Sequence, residues 1–127
     1  MDVVGEWAVK KLLFQGEAME GPGQPDKMVF SESVLNTTAD GETIPQFSNL
    51  RFQIRKTESE NQFEIDLVRG KDTNAETLPC LMKLEEGRLW IAMPMIQLQR
   101  DPTEPIARPE NFDTAEKPII VFEMKRL

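Results

Sequence analysis

The chain has 127 residues, of which 22 are acidic and 15 basic for a formal net charge of −7, with no His, no Tyr and one Cys. That length makes one domain over 1–127, large enough to bury a core without metals or disulfides, and the acidic balance argues against nucleic acid or anionic membranes as partners. Without His or Tyr the commonest general base, the commonest zinc ligand and any Ser-His-Asp triad are excluded, while the lone Cys80, among Leu78, Leu81 and Met82, reads as an inert core thiol.

In chain order, the first strand-like run opens on Gly5-Glu6-Trp7 and continues to Phe14. Its alternation breaks at Lys10-Lys11 before Leu12-Leu13-Phe14, and a bulge there restores an inward face on both sides. Gly21-Pro22-Gly23 lacks the Lys-Ser/Thr pair and the following helix that a phosphate loop needs, so it reads as a turn. Met28 and Phe30 begin a second run, and Val34 to Thr38 is a short, weak third; the glycosylation-like triplet Asn36-Thr37-Thr38 within it is the sort of match that chance supplies.

The two clearest strands follow. Leu50, Phe52 and Ile54 alternate with Arg51, Gln53 and Arg55, and Phe63, Ile65 and Leu67 alternate with Glu64 and Asp66. Leu78 to Leu84, Arg88 to Ala92 and Ile119 to Lys125 complete the set, and a helical turn or two is expected over 110–115. Trp7, Met28, Phe30, Phe52, Ile54, Phe63, Ile65, Met82, Leu84, Leu89, Ile91, Ile120, Phe122 and Met124 form the predicted inward set.

Eight short strands in sequence predict an all-β, eight-stranded antiparallel up-and-down barrel. Connections 16–26, 39–49, 69–77 and 93–118 then gather at one mouth, whereas the turns near Glu32, at 57–61 and at Glu85-Glu86-Gly87 close the other end. Trp7 starts the first strand at the short-turn end, where its ring plugs the floor. The last strand returns beside the first, which brings Arg126 over Trp7 with Gly5 alongside.

Gly5-x-Trp7, Gly16 further on, Leu81 to Leu84 followed by Gly87-x-Leu89, Arg108-Pro109-x-x-Phe112 and the closing Val121-Phe122-Glu123-Met124-Lys125-Arg126 resemble the small lipocalin-like domains numerous in planctomycete bacteria. The resemblance runs over nearly the whole chain. It implies a calycin-type barrel in a family to which no activity, substrate or cofactor attaches, and it suggests the same Trp7–Arg126 pairing. Glu86-Gly87 stands where that group usually has Gly-Asp, and Met82 where it often has an aromatic.

For chemistry, Glu64 with Asp66, or Glu85 with Glu86, are the acid and base pairs one can draw, but the alternation puts Glu64 and Asp66 on a solvated outer face. No catalytic residue, metal ligand or cofactor is therefore assigned, and the chain is expected not to be an enzyme. Two readings stand: a structural or protein-interaction domain whose barrel is filled by its own side chains, or a module that holds a small apolar ligand in a mouth lined by Met19, Phe47, Met93, Met95, Ile96 and Leu98. The long 93–118 connection should fold over that mouth, anchored by Arg108 and Pro109 with Phe112 inserted. The partner is then either a small apolar ligand or an unknown protein, with no nucleic acid and no membrane insertion. No charged-then-apolar leader precedes Gly5, so the expected location is the cytoplasm, or outside it for a chain trimmed of its leader.

Overall fold

The computed structural model describes residues 3–14, 16–19, 24–69, 76–94, 108–112 and 119–127. Its strands are β1 (Gly5–Phe14), β2 (Glu17–Ala18), β3 (Lys27–Phe30), β4 (Val34–Ala39), β5 (Glu42–Thr43), β6 (Leu50–Lys56), β7 (Gln62–Arg69), β8 (Glu76–Glu85), β9 (Arg88–Pro94) and β10 (Ile119–Arg126). All eight longer strands pair antiparallel with their neighbours in chain order, and β10 returns to β1. The result is the closed, lipocalin-like, eight-stranded up-and-down barrel. The two-residue strands β2 and β5 add small flaps to β1 and β4.

Period-two patterning explains the closure. Phe63 faces Met82, Met82 faces Ile91, Ile91 faces Phe122 and Phe122 faces Leu12, so one belt of apolar side chains crosses five strands on the inner face. All fourteen residues of the inward set belong to, or pack against, this core. The ladder between β1 and β10 slips between Val9 and Lys11. Trp7 and Val9 face inward before the slip and Leu12 after it, whereas Leu13 faces out; the extra residue is Lys10, the bulge that the lysine pair predicts.

The short connections 31–33, 57–61 and 86–87 lie at one end, and those that carry β2, β5 and a 3-10 turn at Pro45–Phe47 lie at the other. Between Glu85 and its partner Arg88, Glu86 and Gly87 have φ of 45° and 79°. This is the mirror-image turn whose twist matches a tight hairpin, and it suits Gly but strains Glu. Beyond Pro109, residues 110–112 form a bend instead of the expected helix, and 113–115 lie outside the described residues.

Candidate functional site

At the short-turn end Trp7 is completely buried. Its indole Nε1–H donates to the Val3 carbonyl at 2.9 Å, and the Arg126 guanidinium carbon sits 4.3 Å from its ring centroid. Arg126 Nη1 also donates to the Val4 carbonyl at 3.1 Å. Gly5 has φ of 136°, and a Cβ there would stand 3.0 Å from Arg126 Nη1. A side chain at position 5 would therefore strain the backbone and make the guanidinium give way by a few tenths of an ångström. Gly5, Trp7 and Arg126 thus form one floor, with the N-terminal segment threaded beneath it.

The mouth differs from the expected apolar opening. Phe47, carried by the 3-10 turn, drops its ring onto Phe122 with centroids 5.8 Å apart at 80°, an edge-to-face contact. Ser48 holds the turn in place: its buried Oγ accepts the Thr37 N–H at 3.0 Å and donates to the Thr37 carbonyl at 2.9 Å. Met93 is buried within the core, whereas Met19 is an exposed surface residue; Met95, Ile96 and Leu98 lie outside the described residues. Of the three described residues of the predicted lining, Met93 belongs to the core, Phe47 packs against it and Met19 lies at the surface. Sequence patterning pointed to neither Thr37 nor Ser48. The Thr37 hydroxyl is fully buried, and no hydrogen-bond partner is found for it.

The expectation that Phe112 inserts over the mouth is corrected by its position. Phe112 packs on the outer wall, against a second apolar cluster of Leu81, Ala92, Ile119 and Val121 together with Leu13 and Trp90. The reason lies in β8, β9 and β10, which carry apolar residues on both faces: Leu81 beside Met82, Ala92 beside Ile91, Val121 beside Phe122. A strand that is apolar on both faces must be covered on both. The continuous runs Trp90-Ile91-Ala92-Met93 and Ile119-Ile120-Val121-Phe122 are the sequence signal for it. Lys83 completes this patch, its Nζ 4.4 Å from the Trp90 centroid and 5.8 Å from that of Phe112.

Arg108 clamps the same segment to the wall. Its Nη1 donates to the Cys80 carbonyl at 2.8 Å, and its Nη2 meets Asp66 Oδ1 at 2.6 Å. Arg55 Nη1 takes the other oxygen of Asp66 at 2.8 Å, and both arginines approach Glu64, at 3.4 and 3.7 Å. Asp66 is therefore not on a solvated face; its side chain is 14% exposed. Burial works to raise its carboxyl, but hydrogen bonds from Arg108 and Arg55, with their charges, outweigh that and hold it below the ordinary carboxylate range. Pro109 is buried beside this clamp. Burial pushes the Cys80 thiol up, against the lowering effect of Arg108, so it is a core group and not a nucleophile.

Among the described residues, no group of three or more His, Cys, Asp or Glu is placed to hold a metal ion, and no helix is long and apolar enough to cross a membrane. Comparison of the chain with protein-family models, with curated proteins and with solved structures finds no match.

Proposed function

We propose that this chain is a non-enzymatic lipocalin-like domain, akin to the planctomycete group it resembles, that acts as a structural or protein-interaction module through its outer surface and not as a container. The supporting observation is the state of the interior. Met28, Ile65, Met82, Ile91, Phe122 and Met124 are inward-facing, and each exposes at most a trace of its surface. A side chain with no exposed surface borders no space that admits a water molecule, so a ligand among these six would require repacking; Phe52, Ile54, Leu84 and Ile120 are partly buried members of the same face. An eight-stranded barrel is narrow enough for its own side chains to fill, and Phe47 packs edge-on against Phe122 at the end opposite the floor. The non-enzymatic reading rests on the missing His and on carboxylates engaged by arginines.

Native mass spectrometry of the protein purified from its own host, paired with titration by a fluorescent fatty-acid probe, tests this reading. The expected outcome is no retained small molecule and no saturable probe binding, with co-purified polypeptide as the positive sign. A stoichiometric small molecule carried through purification would instead establish a binding barrel.

A further inference from the structure

The bulge in β1 does more than keep the inner face in phase. In a regular strand Lys10 and Lys11 would point to opposite faces. Here the extra residue lets both lysines line one outer cleft of about 360 Å³ with Arg88, Glu123, Met124 and Lys125. Cross-strand pairing assembles it: Lys11 faces Glu123 across β1 and β10, and Lys125 faces Arg88 across β10 and β9. Bulges recur where a strand must re-aim a side chain at a site.

Four cations against one carboxylate put +3 on this wall, and since the chain carries −7 in all, the remainder carries −10. Among the described residues the cleft's one ion pair is Arg88 Nη1 to Glu123 Oε1, at 3.9 Å. No described carboxylate pairs with Lys10, Lys11 or Lys125. Like charges on neighbouring strands weaken a sheet, so a cluster of this kind is costly unless something offsets it. Of the acidic remainder, Glu85 stands opposite Arg88 across β8 and β9 and takes one charge from that edge. At physiological ionic strength exposed charges more than about 8 Å apart are largely screened from one another, so a ligand among Lys10, Lys11 and Lys125 responds chiefly to the local positive charge. Lysine ammonium groups are compact charges with three donors each. Several of them at once suit an anion with more than one charge on a small centre, which a carboxylate is not.

We propose that the Lys10, Lys11, Arg88 and Lys125 cleft binds a phosphate-bearing ligand, either a free phosphorylated molecule or the headgroup of an anionic phospholipid at a membrane surface. The site is independent of whether the barrel interior is filled.

The test is titration of the ¹⁵N-labelled full chain with inorganic pyrophosphate, and separately with acetate at matched ionic strength, followed by amide shifts. Pyrophosphate should give saturable shifts confined to 9–12, 87–89 and 123–126, weakened by added salt, and acetate should not. Lys10→Ala with Lys125→Ala should weaken binding about fivefold, two exposed ion pairs of roughly 0.5 kcal/mol each. Glu123→Gln, which removes the cleft's one anion, should tighten it about twofold on the same scale. Lys56→Ala, on β6, should leave it unchanged. Sedimentation with phosphatidylcholine vesicles, with and without phosphatidic acid, separates the sources. Co-sedimentation that needs phosphatidic acid and is lost in the double variant assigns a lipid headgroup; pyrophosphate binding without it assigns a soluble ligand. The proposal is overturned if pyrophosphate gives no saturable shifts, if acetate matches it, or if the double variant binds as tightly as the parent.

Discussion

Removing the Arg126 guanidinium tests the floor most directly. The ring beneath it is wholly buried, the guanidinium carbon lies 4.3 Å from its centroid, and one N–H reaches the Val4 carbonyl. Cation–π contacts span about 0.5–1 kcal/mol at exposed sites and about 2 when dry. Arg126 belongs near 1, since the residue is exposed to solvent while Trp7 is not. Its exposed charged hydrogen bond adds about 0.5–1 kcal/mol. Arg126→Ala should therefore cost about 1.5–2 kcal/mol, read from urea unfolding followed by far-UV circular dichroism, which does not depend on Trp7 as a reporter. Trp7→Leu alone should cost about 3 kcal/mol, most of it lost packing. The double variant should recover about 1 kcal/mol relative to the sum of the singles, the part that belongs to the stacked pair. Gly5→Ala gives a second reading. In the parent it adds both backbone strain and a clash at Nη1; with Arg126 gone the clash disappears, so its cost should shrink. A coupling below about 0.3 kcal/mol, within the scatter of independent sites, together with an unchanged Gly5→Ala cost, would refute the stacked floor.

Three further outcomes follow from named contacts. Arg108→Ala should destabilise by about 2 kcal/mol through loss of charge-assisted bonds to Asp66 and the Cys80 carbonyl, and should speed amide exchange over 108–112. Asp66 has a lowered folded-state pKa, so its contribution is present above the unfolded value near pH 4 and lost as pH falls through the folded one, and Arg108→Ala should shrink this acid-dependent part. Glu86→Asn relieves a φ of 45° that Asn tolerates better than Glu, and should raise stability by about 0.5–1 kcal/mol in thermal unfolding. Thr37→Val exchanges a buried hydroxyl that lacks a partner for a methyl and should be neutral or stabilising by up to about 1 kcal/mol; a loss above about 1.5 kcal/mol would mean the hydroxyl is bonded after all.

Strand existence and facing were legible wherever one face was polar. Arg51, Gln53 and Arg55 set off Phe52 and Ile54, and the lysine pair marked the bulge by interrupting the period. Topology then brought Trp7 and Arg126 together, because an up-and-down barrel must pair its last strand with its first. Legibility failed where both faces are apolar. Read by period two, 90–93 and 119–122 yield one inner row and nothing to cover the other, so Phe112 was sent to the mouth although the open need was on the outer wall. The same one-faced reading left Asp66 solvated, since an acidic residue between Ile65 and Leu67 gives no hint of two arginines converging on it from β6 and from residue 108. The Phe47 contact was illegible for another reason: a three-residue 3-10 turn held by Ser48 has no periodic signature.

Net charge does not say where the charges sit. A chain with 22 acidic and 15 basic residues is expected to repel phosphate only if its charges act from one place, and on a barrel they do not. Adjacent strands lie about 4.8 Å apart, so residues on β10 sit within a screening length of those on both β9 and β1. The slip at Lys10 turns two consecutive lysines, which a regular strand would divide between core and solvent, toward the same wall as Lys125 and Arg88. The geometric defect that preserves the packed core thus also concentrates positive charge outside it. If the bulge were removed by deleting Lys10, Val9 and Lys11 would become consecutive, as their partners Met124 and Glu123 already are, so the ladder would turn regular with no shift of register, and Lys11 alone would remain to face Glu123. The deletion should therefore spare the core and weaken the cleft, as Lys10→Ala should, and a large loss of stability on deletion, read from urea unfolding, would mean that the bulge itself supports the fold.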